Sequence, residues 1–134
     1  MPELFLIAHK LQDMQFFNKL ETPGQLQLTT NFNFSVDYNK ENTQCVAKLY
    51  QCVKDKRADD NHRFFVSVEV VGVFEITGPV TEEDKKDIHI QTYHQLFPYA
   101  EEPVRQVCTA GGMGNFVFRR HKMDRSKVAV KQNG

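Results

Sequence analysis

The stretch LQLTTNFNFSVDY, residues 26–38, constrains the fold more than any other part of the chain. Leu26, Leu28, Phe32, Phe34, Val36 and Tyr38 fall on one side of a period of two, with Gln27, Thr29, Asn31, Asn33, Ser35 and Asp37 on the other. Successive side chains of a strand point to opposite faces, so the pattern predicts a strand with one buried face and one wet face.

The flanking segments extend this into a sheet. ELFLIAHKLQDMQFF, before it, is rich in strand formers, and ETPG supplies a turn with proline and glycine in the expected order. After it, NKEN turns the chain into TQCVAKLYQCVK, where Cys45, Ala47, Leu49 and Val53 share a face. KDKRADDNHR is polar and without bulk, as an exposed hairpin loop would be. FFVSVEVVGVFEI then puts Phe64, Val66, Val68, Val70, Phe74 and Ile76 in register. Its opposite face mixes Phe65, Val71 and Val73 with Ser67, Glu69 and Glu75, which implies a second apolar partner on that side. Four strands on short loops predict an antiparallel meander or a close variant over residues 1–78.

Residues 79–111 read as helical. Thr81, three residues before Asp84, resembles an N-cap followed by acids in the first turn. Ile88, Ile90, Tyr93, Leu96 and Phe97, then Ala100, Val104, Val107 and Cys108, give an apolar stripe that GGMG stops. Pro98 and Pro103 interrupt it, and an interior proline costs roughly 3 kcal/mol. The expectation is a break or kink near Phe97, with Pro98 opening a second helical segment and Pro103 leaving a residual kink. Residues 112–134 read as a short, solvated basic tail with one apolar alternation. The fold class is therefore α+β, a four-stranded antiparallel sheet packed with a long kinked helix, in a single domain 1–134.

Composition narrows the function. The formal net charge is zero, which leaves no basic field for nucleic acid and little charge to keep copies apart. Phenylalanine is abundant and tryptophan absent, so the large rings suit packing or gripping other apolar chains. Cys45, Cys52 and Cys108 are odd in number and lack a Cys-x-x-Cys spacing, so no disulfide framework and a cytoplasmic location are expected. MPELFLIA lacks the basic start and long apolar run of a signal peptide, and no membrane insertion is expected. His89 and His94 lie five apart and do not share a helix face, GGMG follows a helix rather than a strand, and TEEDKKD is a helix first turn. With no nucleophile–base pair, metal set or phosphate cradle, the reading is a non-enzyme without catalytic residues, metal or cofactor. A small-molecule enzyme with a pocket near His89 and His94 is the rival. Core roles are expected for Phe32, Phe34, Val68, Phe74 and Ile76. Phe65, Val71, Val73, Phe97 and Tyr99 exceed one core layer, which implies either an oligomer interface or a groove for extended apolar polypeptide.

Those residues also carry a family resemblance. Phe64-x-Val66-x-Val68-x-x-x-Gly72-x-Phe74-x-Ile76-x-Gly78, followed by Leu96-Phe97-Pro98-Tyr99-Ala100, resembles the SecB family of protein-export chaperones, as does DMQFF at residues 13–17. The resemblance spans most of residues 5–110. It implies a holdase that binds unfolded preproteins in aromatic-lined grooves without ATP, assembles as a dimer of dimers and hands clients to the SecA motor. This chain is neutral where that family is strongly acidic, and its end after the helix is short and basic. The alternative is a SecB-like adaptor or specialised chaperone with a narrow client such as an antitoxin.

Overall fold

The computed structural model describes residues 2–21, 27–56, 61–114 and 116–128. Of the predicted turns, most of ETPG and the centre of KDKRADDNHR lie outside these residues, as does the end of the tail from residue 129. Four strands, β1 (Glu3–Asn18), β2 (Leu28–Tyr38), β3 (Gln44–Asp55) and β4 (Phe64–Thr77), precede a single long helix, α1 (Glu82–Ala110). A short 3-10 turn, Arg125–Lys127, follows.

The sheet is antiparallel with strand order β1-β4-β3-β2. β2, β3 and β4 form the predicted meander, but β1 pairs with β4 and not with its sequence neighbour β2. Strands adjacent in sequence thus occupy opposite edges. Phe64, Val66, Val68, Val70, Phe74 and Ile76 of β4 are all buried on one face, beside Cys45, Ala47, Leu49 and Val53 of β3. Phe34 and Val36 of β2 join them, with Phe32 half-buried at the margin. The imperfect alternation of β1 has a structural cause. Its pairing shifts between Leu6 and Ala8 and again between Leu11 and Asp13. Each shift adds one residue and inverts the parity, so Leu6, His9, Leu11 and Met14 all pair with core-facing positions of β4.

The helix starts where the sequence puts it. Thr81 Oγ1 accepts the N–H of Asp84 at 3.1 Å, and the Asp84 carboxylate accepts the N–H of Thr81 at 2.9 Å. With Glu82 and Glu83, this acidic turn also faces the positive end of the helix dipole. The expected division at Phe97 does not occur: α1 is one element with Pro98 and Pro103 inside it. Packing explains why. Ile88, Tyr93, Leu96, Phe97, Ala100, Val104 and Cys108 are buried along its length. Each large side chain contributes roughly 1.5–3 kcal/mol, which together exceeds two proline penalties of about 3 kcal/mol each. Gly72 gives the helix its seat on β4, since a Cβ there would lie 2.9 Å from Leu96 Cδ1. At the far end a Cβ on Gly111 would collide with the Phe16 ring, so glycine lets the helix end close over β1.

Candidate functional site

The two faces of the sheet are unlike. One carries α1 and the core, and the other is bare in this protomer. On the bare face Phe65 stacks on Phe17 with centroids 5.7 Å apart. Val73 lies in register between Ala8 and Val46, the latter 40% exposed. Val71 lies between Lys10 and Lys48. Glu69 accepts from Gln12 at 2.8 Å and faces Lys48 at 3.7 Å, so acids and bases alternate across the middle of this surface.

The outer edge of β1 is a second apolar surface. Phe5, opposite Glu75 on the bare face, Ile7 in the first pairing shift, and Leu11, opposite Val70 on the helix face, are each about half exposed. Tyr99 projects from α1 over the same edge and stacks on His9 at 3.7 Å. A long edge strand with exposed apolar side chains is a template for association.

The third surface is built by the tail, and here the expectation of a solvated segment is corrected. Residues 116–128 run back along α1. Phe118 is buried, and Phe116 meets the Phe64 ring edge-on at 5.6 Å. Pro98 has no N–H to give the His94 carbonyl, and Arg120 Nη1 reaches that oxygen at 3.3 Å and His94 Nδ1 at 3.1 Å. The Arg120 guanidinium also lies over the Phe97 ring, 4.8 Å from its centre. A side chain from the tail thus replaces a hydrogen bond that proline deletes from the helix. His121 stacks on Phe32 at 4.0 Å while its N–H donates to the Tyr93 hydroxyl at 2.7 Å. Arg125 ends the run on Asp87 at 2.8 Å and Glu83 at 3.0 Å. The aromatic pair and the covered carbonyl hold the tail; exposed ion pairs of this kind are worth under about 1 kcal/mol each.

Between this tail and the β2–β3 corner opens a cleft of about 550 Å³, walled by Leu28, Thr30, Gln51 and Val53 on the sheet and residues 116–121 opposite. Leu28 and Val117 are exposed at its mouth. Gln51 is buried in the wall, its Nε2 3.5 Å from His121 Nε2 and its Oε1 without a hydrogen-bond partner among the described residues.

The five residues singled out from the sequence do not meet at one place. Phe65, Val71 and Val73 share the bare face, and Tyr99 stands across the sheet at the β1 edge. Phe97 is only 2% exposed and belongs to the core, which removes it from any surface of the protomer as folded. Leu28, Val53, Phe116 and Val117 were missed; the alternation Phe116-Val117-Phe118 was the available signal, and its basic surroundings masked it. His89 lies edge-on to Phe34 at 4.9 Å, and Nδ1 of His94 accepts from Arg120. Burial pushes the thiols of Cys45 and Cys108 up to about 12 and about 11, so both are protonated near neutrality and poor nucleophiles. Among the described residues no group of His, Cys, Asp and Glu could hold a metal ion, and no helix is long and apolar enough to cross a membrane.

Comparison with known proteins agrees with this architecture. The profile of the family described as preprotein translocase subunit SecB matches residues 9–122. Among solved structures, a SecB-like chaperone of Mycobacterium tuberculosis, in complex with a ChAD peptide from the HigA1 antitoxin, is similar with a TM-score of 0.67. The two share 14% identity over 90% of this chain and 92% of that one. Among curated proteins no sequence match is found.

Proposed function

The chain belongs to the SecB family, and from that premise we propose that it is a holdase, an ATP-independent chaperone that binds non-native polypeptide and keeps it from aggregating. The observation that carries this reading is the cleft between the β2–β3 corner and the tail, with Leu28, Val53 and Phe116 in its walls and Val117 at its rim. Folded proteins bury side chains that would fill such a cleft, whereas unfolded chains expose them in extended segments. Binding the unfolded state opposes its folding and its self-association by mass action. The apolar edge of β1, with Phe5, Ile7, Leu11 and Tyr99, is assigned to self-association into the dimer of dimers typical of the family. On this reading Phe65, Val71 and Val73 add an apolar strip to the bare face, which a long client can follow.

A second reading concerns the client. Preproteins for Sec-dependent export are the family's usual clients, and the SecA motor their usual receiver. The alternation of Lys10, Lys48, Asp13 and Glu69 across the bare face gives a basic motor segment no uniformly acidic surface. That mixture favours the narrower role, a chaperone dedicated to one partner, and the mycobacterial relative's antitoxin peptide is a precedent for it.

Carboxymethylated lactalbumin, permanently unfolded, tests the core of the reading. At stoichiometric amounts the protein should suppress aggregation of a reduced client and gain mass in light scattering with the unfolded probe. Leu28→Asp should abolish both while leaving the protein folded, because Leu28 is 37% exposed. A wild-type protein indifferent to the probe would overturn the assignment.

A further inference from the structure

The tail contact contains a feature that holdase activity does not require. Two imidazoles, His94 on α1 and His121 in the tail, help fasten residues 116–121, beside the buried Phe118 and the contact of Phe116 with Phe64. Arg120 donates to Nδ1 of His94, which must therefore be unprotonated to accept. His121 sits flat against Phe32, with the Tyr93 hydroxyl at its backbone N–H and the Gln51 amide at its Nε2. We propose that residues 116–121 are an acid-released strap: neutral imidazoles hold it over the β2–β3 corner, and protonation lifts it, exchanging the tail wall of the cleft for a wider sheet wall in which Phe32 and Phe64 join Leu28 and Val53 as client surface. The client half of this proposal rests on the holdase reading; the release itself does not.

The groups around each imidazole fix the direction. His94 is faced by the Arg120 guanidinium and by the neighbouring Tyr93 ring. A proton on Nδ1 removes the acceptor and sets two cations 3.1 Å apart. His121 is faced by the Phe32 ring from β2, the Gln51 amide from β3 and the Tyr93 hydroxyl from α1, all uncharged. Further along the seam, Asp87 and Glu83 are engaged by Arg125. Burial pushes both imidazoles below their ordinary value, and the charge of Arg120 lowers His94 further. Once the strap is released, His121 on it and His94 on α1 are imidazoles of ordinary affinity, near pH 6.5. Docking is therefore fully stabilised above that pH and weakens as pH falls through the lowered values of the docked state.

The strap does not leave altogether. Glu83 is held below the usual carboxylate range by Lys86 and then by Arg125, so the Arg125 anchor persists where the imidazoles protonate. The helix end forms the other fixed point, the Gly111 carbonyl accepting from Asn18 Nδ2 at 2.8 Å. His89, packed on Phe34, is also lowered by burial, yet its ring lies on the helix–sheet side. It serves as the internal control.

Amide hydrogen exchange of the full-length protein, corrected for intrinsic rates, at about pH 7.5 and about pH 5.5 tests the release. Protection of residues 116–121 should be lost at the lower pH while β3 and β4 keep theirs. His94→Asn with His121→Phe, which retains an acceptor and a ring but neither titrating group, should abolish that loss. Arg120→Ala should expose the strap at both pH values, and it keeps the test open if the double variant does not fold. Unchanged protection in the wild-type protein, or acid release persisting in the double variant, would overturn the strap. In a second arm, affinity for carboxymethylated lactalbumin should rise at the lower pH in the wild type only. Release without a rise would overturn the uncovering of client surface, and absence of binding at either pH would overturn the holdase reading while leaving the release established.

Discussion

β1 and β4 lie side by side in one sheet, and both are rich in large apolar residues, yet they have opposite fates. On β4 the residues facing the helix, from Phe64 to Ile76, are almost wholly enclosed. On β1, Phe5, Ile7 and Leu11 remain about half in solvent. β4 has a strand on each side and α1 above it, whereas β1 has only β4 beside it, with Phe5 paired on the bare face and Ile7 falling in a pairing shift. Apolar content alone thus does not say what a strand is for. Centre strands convert it into stability, and an edge strand leaves it available for a second molecule.

Substitutions on the two strands sharpen that contrast. Phe74→Ala on β4 should destabilise the protomer by about 3–5 kcal/mol, the range for a fully buried ring, with a matching fall in the urea midpoint. Phe97→Asp, in the same core, should prevent folding altogether rather than merely dissociate an oligomer, because it buries an unpaired charge. Ile7→Asp on β1 should leave the protomer's stability within about 1 kcal/mol of wild type while reducing the solution mass seen by sedimentation. A mass already that of the monomer before substitution would break the comparison. Smallest of all, Asn33→Asp on the polar face of β2 should change stability by no more than about 0.5 kcal/mol and leave mass and client binding alone.

Much of the fold was legible because strand alternation and helix capping are local. The pattern at 64–76 identified the core face of β4 residue by residue, and Thr81 with Asp84 identified the helix start. The candidate site was much less so. Val71 and Val73 were correctly placed opposite the core, but Phe97 carries the same apolar signal as Tyr99 two residues later, and only packing decides that one is enclosed and the other 41% exposed. The cleft was not legible at all, since it joins Leu28 and Val53 to Phe116 across most of the chain.

The sequence by itself determined the four strands, the faces of β2, β3 and β4, and the start and end of the helix, because each depends on side chains a few positions apart. Tertiary structure decided the rest: that β1 crosses to the far side of β4, that α1 survives Pro98 unbroken, and that a basic tail lies down instead of floating free. The physical reason is the same in each case. A vacant carbonyl on His94, a ring to cover at Phe97 and an edge to fill beside β4 are demands created only once distant segments pack, and Arg120 and β1 answer them from far along the chain.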